Sequence, residues 1–198
     1  MTARDDILMY VRSHPLPGEH ALPTLPHFPL DDGGDRTGFF FKNLISMGGK
    51  AYSGIVTDVE SGVRSVFPDA KVIASAAAEM PSHRDVASVA HPRDLADVDV
   101  AVVRAAFGIA ETGSLLLTDD LLGTNALAYL AQHLIVLIDP NDIVLTTQEA
   151  YWRPEFHEHR YASFHTGPSA TADIEGVLIH GAQGVRSLTA MLVSRQTT

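Results

Sequence analysis

Phe107-Gly108-Ile109-Ala110-Glu111-Thr112-Gly113-Ser114 sets one carboxylate and one hydroxyl between two glycines, directly before the apolar run Leu115-Leu116-Leu117. Glycine permits positive φ and lets a backbone come close to a ligand. In such a setting Glu111 suits a general base, a nucleophilic carboxylate or an acceptor for a ligand hydroxyl. Gly108, Thr112 and Gly113 would then line the ligand, and the leucines would strip water from the carboxylate. The plainer role is a hairpin or bulge in which Glu111 holds backbone amides. The G-x-G-x-x-G spacing of a dinucleotide site is absent here.

A second break, Thr166-Gly167-Pro168-Ser169-Ala170-Thr171-Ala172-Asp173-Ile174-Glu175, begins with a Gly-Pro turn. The hydroxyls of Ser169 and Thr171 fall where a helix would start, and helix N-termini bind carboxylates and phosphates. Plain capping explains the same residues, with Asp173 and Glu175 suiting the first turn of a helix or turn over Thr171–Glu175. Histidine density is a third signal: Glu155, His157, Glu158, His159 and His165 follow Trp152-Arg153-Pro154. A strand would put His157 and His159 on one face, but a metal would need further ligands such as His165 or His180. A solvated polar loop is the plainer reading. His83 and His91, beside Arg84 and Arg93, read as surface turns. Neither a G-x-S-x-G elbow nor a Walker loop is present.

The chain has 198 residues, with 14 Lys and Arg against 24 Asp and Glu, for a formal charge of −10. One domain over 1–198 is expected, burying roughly 70% of its unfolded surface and needing no structural metal. Zero cysteines exclude disulfides, thiolate zinc and iron–sulfur ligation within the chain. A cytoplasmic protein is consistent with that composition. The acidic balance argues against nonspecific nucleic-acid binding, which rests on neutralising phosphates. The mixed-charge start Met1-Thr-Ala-Arg-Asp-Asp lacks the apolar h-region of a signal peptide, so none is expected, and no apolar run reaches the ~18 residues of a membrane span.

The elements alternate. Helices are expected over 2–13, 35–47, 58–65 and 124–132, and strands over 50–56, 71–74, 98–104, 114–117, 134–138, 161–165, 177–179 and 188–193. Between the first two helices, Pro15, Pro17, Pro23, Pro26 and Pro29 impose an extended arm that lies on the domain or meets a partner. Continuous apolar runs such as Leu134–Ile138 suit strands buried on both faces, hence an α/β fold with a mostly parallel sheet covered by helices.

Gly108–Leu117 and Gly167–Glu175 also resemble, in order and spacing, the AETGT-type and GPSRTADIE blocks of the LUD-domain proteins. The tail Gly181-Ala182-Gln183-Gly184-Val185-Arg186 falls where that family has a G-x-H-G-P-R stretch. The resemblance is nearest to the lactate utilization protein C (YkgG-like) type and covers about residues 50–195, leaving 1–49 as N-terminal helix, proline-rich arm and second helix. It departs at Ala170 and Asn125, where the family usually has arginine, and at Gln183 and Val185. It implies a fold similar to that of the sugar-phosphate isomerase and CoA-transferase group. It also implies a part in L-lactate oxidation beside iron–sulfur proteins, and a small anionic ligand near Glu111 and the 167–175 turn, with Arg186 and Arg104 left as its cations. No cofactor of its own is implied. Two alternatives stand beside this accessory role: a free-standing CoA-transferase-like enzyme with Glu111 as nucleophile, and a non-catalytic scaffold docking through the proline arm.

Overall fold

The computed structural model describes residues 2–15, 24, 26, 28–81, 84, 86, 89–181 and 183–195. Pro17, Pro23, His83 and Ala182 lie outside them. In chain order the elements are α1 (Ala3–Ser13), α2 (Arg36–Ser46), β1 (Lys50–Ile55), α3 (Val59–Val66), β2 (Ile73–Ser75), β3 (Val100–Arg104), β4 (Gly108–Ile109) and β5 (Ser114–Thr118). Then follow α4 (Asp119–Leu122), α5 (Leu127–Leu130), β6 (His133–Ile138), β7 (Ile143–Val144), α6 (Thr147–Tyr151), α7 (Pro154–His157), β8 (Ala162–His165), β9 (Ala170–Ile174), β10 (Val177–His180) and β11 (Ser187–Leu192).

Five strands form the central sheet in the order β1-β11-β6-β3-β2, and every pairing in it is parallel. The apolar runs explain why. Val100, Val102, Ile135, Leu137 and Met191 pack on one face with Val59 and Val63 of α3. Ala101, Val103, Leu134, Val136, Leu188 and Ala190 pack on the other with Phe40 and Leu44 of α2 and Leu127 of α5. Period-two alternation within an unbroken apolar run feeds two cores from one strand. Each buried Val, Leu or Ile contributes about 1.5–3 kcal/mol.

A second sheet, β7-β4-β5-β8, packs beside the first. Its β4–β7 pair is parallel, whereas β4–β5 and β5–β8 are antiparallel. The helix or turn expected over Thr171–Glu175 is instead strand β9, paired antiparallel with β10. Glu175 and Gly176 close that hairpin with φ of 53° and 71°. Two consecutive positive φ values match the right-handed twist of a two-residue hairpin, and cross-strand pairing outweighs the capping potential of Ser169 and Thr171. The helix expected over 124–132 shortens to Leu127–Leu130, because the chain must extend again to enter β6.

The N-terminal helix is closed by reciprocal bonds between Thr2 and Asp5, and none of its residues is buried. The described part of the proline segment lies on α6: Gln148 Nε2 donates to the Pro26 carbonyl at 2.8 Å. None of the described helices is long and apolar enough to cross a membrane.

Candidate functional site

The two glycine-bearing breaks meet, and what fills the space beside their glycines is the last turn of α2. A Cβ added to Gly113 would lie 2.1 Å from Leu44 N, and one on Gly167 would lie 2.5 Å from the Met47 carbonyl oxygen. Asn43 Nδ2 donates to the Ala110 carbonyl at 2.8 Å. At Gly108 the added atom would lie 3.3 Å from the Phe40 ring. At each of these glycines a Cβ would therefore meet the protein's own backbone or core. The breaks are joined directly as well: Ser114 Oγ hydrogen-bonds Thr166 Oγ1 at 2.5 Å and Thr112 Oγ1 at 2.7 Å.

Glu111 is exposed at this junction, so the leucines of β5, all fully buried beneath it, do not enclose it. Its Oε2 accepts the amide of Thr147 at 2.7 Å, and its own amide donates to the Leu145 carbonyl at 2.9 Å. The carboxylate thereby satisfies a free N–H at the start of α6 and favours the positive end of that helix.

Beside the junction a cleft of about 320 Å³ opens between β8, the 167–170 segment, α5 and the 183–185 loop. It takes in Gly167, Pro168 and Ser169, together with His165 and Tyr129. Ser169 ties two walls together. Its amide donates to the Val185 carbonyl at 3.1 Å, its carbonyl accepts from Gly181 N at 2.6 Å, and its Oγ donates to the Gln183 carbonyl at 3.0 Å. Among the described residues, His165 Nε2 has no hydrogen-bond partner there. Burial pushes the His165 imidazole down to about 4, so the ring is neutral at pH 7. The Tyr129 ring lies 5.3 Å from it. The Tyr129 hydroxyl bonds Tyr161 and reaches Ser163 Oγ at 3.3 Å. Burial and that shared bond raise the Tyr161 phenol above its usual range. Among the described residues, no Asp, Glu, Lys or Arg lines this cleft. Such a set exchanges hydrogen bonds with a ligand and offers it no formal charge.

Other expected residues lie elsewhere. Thr171 and Asp173 sit on β9 outside the cleft lining, bonded to each other at 3.3 Å. Arg186 is exposed and lines a separate cavity of about 380 Å³ with Phe67, Asp99 and His133. His133 stacks on Phe67 at 4.6 Å and bonds Ser187 Oγ at 2.8 Å. Burial, with the charges of Lys50 and Arg186, holds His133 below its usual range. Arg104 lies at the opposite ends of the strands, paired with Glu79 and donating to the Val193 carbonyl at 3.2 and 3.3 Å.

The histidine-rich segment does not converge on one point. His157 ends α7 and bonds the Tyr151 carbonyl at 2.6 Å, so the strand that would have aligned it with His159 is absent. His159 pairs with Asp119 and Asp120 at 3.3 Å each. Glu155 pairs with Arg153, and Asp94 accepts from the His91 amide at 3.2 Å. The sequence offers His165 only as one further ligand that a metal would need, and Tyr129, Tyr161 and Ser163 carry no local signal. Their grouping depends on β8 pairing and on α5, and no local spacing announces it.

The fold is similar to that of a DUF162 family protein from Deinococcus radiodurans. Its crystal structure superposes with a TM-score of 0.64 at 18% identity, covering 84% of this chain and 100% of that one. The LUD domain model matches residues 43–193. The chain therefore belongs to the LUD domain family, which is associated with lactate utilization in general. Among curated proteins nothing matches. Ala170, Gln183 and Val185, three of the positions where the chain departs from the family blocks, all line the His165 cleft.

Proposed function

We propose that this protein is the type C (YkgG-like) component of an L-lactate oxidation system, an accessory cytoplasmic subunit formed as one domain over 1–198 that works with iron–sulfur proteins. The observation that carries the reading is the LUD match over 43–193 in a chain with no cysteine. Oxidation of lactate to pyruvate releases two electrons and two protons. Without thiolates the chain cannot hold an iron–sulfur cluster of the usual kind, so in this reading the electrons pass to partner proteins. The subunit's own contribution is the His165 cleft, whose neutral imidazole and hydroxyls hold a small ligand.

The test is made in the native host. Deleting the gene is expected to abolish growth on L-lactate while growth on pyruvate continues. The tagged full chain, purified from lactate-grown cells, is expected to bring down proteins carrying iron and acid-labile sulfide. Normal growth of the deletion strain on L-lactate, or a eluate free of iron–sulfur proteins, would overturn the proposal.

A further inference from the structure

The geometry points to an uncharged, hydroxyl- or amide-bearing small molecule as the occupant of the His165 cleft, in preference to a carboxylate or phosphate; this rests on that cleft being the ligand site of the proposed subunit. The first observation is charge. No Lys or Arg among the described residues lines the cleft, and the guanidinium closest in sequence, Arg186, lines a different cavity. An anion moving from water into such a place loses hydration and gains no ion pair, whereas a neutral group loses little once it is hydrogen-bonded.

The second observation is the orphaned nitrogen. The His165 ring is part of the lining, and its Nε2 has no hydrogen-bond partner among the described residues, a state that calls for a water or a ligand group as partner. The imidazole is neutral at pH 7 because burial opposes its protonation, so one ring nitrogen donates and the other accepts. In the same lining the Ser163 hydroxyl accepts from Tyr129 at 3.3 Å and keeps its own proton to donate. This mixture of roles matches a hydroxyl or primary amide, which also does both; a carboxylate only accepts. The size agrees. A cleft of about 320 Å³ has room for about ten waters at ~30 Å³ each, enough for a molecule of three to six carbons.

L-lactate and L-lactamide separate the alternatives, because they share size and hydroxyl and differ in charge. Calorimetry and ligand-observed NMR on the full chain near pH 7.5 are expected to show saturable binding of L-lactamide. L-lactate should bind about tenfold more weakly or worse, a gap of about 1.4 kcal/mol. Ala170→Arg adds a cation to the lining and is expected to reverse that order. His165→Phe removes both ring nitrogens and should abolish lactamide binding. Tyr129→Phe, at a partly exposed position, serves as the second variant should His165→Phe fail to fold, and is expected to weaken lactamide binding. Lactate binding as tightly as lactamide, or no lactamide binding at all, would overturn the inference. Lactamide failure with iron–sulfur partners still captured sinks the ligand class alone; lost partners with lactamide still bound sinks the subunit reading alone.

Discussion

The backbone of Leu44 lies directly against the α-carbon of Gly113, so that an added Cβ there would come within 2.1 Å of Leu44 N. Gly113 also has φ of 69°, a conformation that costs an L-residue about 1 kcal/mol or more. Gly113→Ala is therefore expected to lose about 3 kcal/mol or more, from strain and forced separation of α2. Gly33 provides the control: its φ is 66°, but nothing lies within 4 Å of an added Cβ. Gly33→Ala should cost only about 1 kcal/mol. Urea denaturation of both variants checks the difference, and equal losses would mean that α2 does not sit against Gly113.

Glu111→Gln keeps the shape of the side chain and an oxygen for the Thr147 amide, and removes the charge at the start of α6. We expect a loss of about 0.5–1 kcal/mol, within the range of helix-terminus charge effects, with lactate-dependent growth preserved. A growth defect without loss of stability would assign Glu111 a chemical role after all.

His165 gives the fold a specific acid sensitivity. In the unfolded chain the ring takes a proton near its ordinary value of 6.5, whereas the native ring resists it down to about 4. Acid thus favours the unfolded state between those limits, and stability rises with pH across the same window. Above pH 6.5 both states are neutral and the group adds no pH dependence. The full effect is on the order of 3 kcal/mol. Urea midpoints measured from pH 8 to pH 4 should fall less steeply in His165→Asn than in the parent, and identical slopes would contradict the burial of the ring.

Arg104 is 7% exposed, and its guanidinium both holds the Val193 carbonyl and pairs with Glu79. Arg104→Met leaves that carbonyl and a partly buried carboxylate without their partner, for an expected loss of about 3 kcal/mol. Glu79→Gln should cost less, because the Glu79 side chain remains 24% exposed and the amide oxygen still accepts. Thermal melts of the two variants rank them, and a larger loss in Glu79→Gln would reverse the assignment.

The central sheet was legible from composition along the chain. Runs such as Val100–Val103 and Leu134–Ile138 carry apolar residues at consecutive positions, which only a strand covered on both faces can bury. Helix starts were legible for the same local reason. Asp35 and Asp58 accept from the amides of Gly38 and Ser61, bonds within a few residues that hardly depend on the rest of the fold. The β9 strand was not legible. Ser169 and Thr171 have the capping chemistry of a helix start, and only the pairing of β9 with β10 overrides it.

The amino-acid sequence determined the apolar periodicity, the caps and the glycines at Gly113 and Gly167, since each depends on a residue and its neighbours along the chain. Tertiary structure alone decided what those glycines accommodate, namely the end of α2, some 70 to 120 residues away in the chain. It also decided that Glu111 faces Thr147 across a separation of 36 residues, and that Tyr129, bonded to Tyr161, meets a half-buried His165. A side chain's chemistry is intrinsic to its residue type. Its exposure and partners, which set whether it is charged and what it can bind, depend on chain segments that packing brings together from far apart.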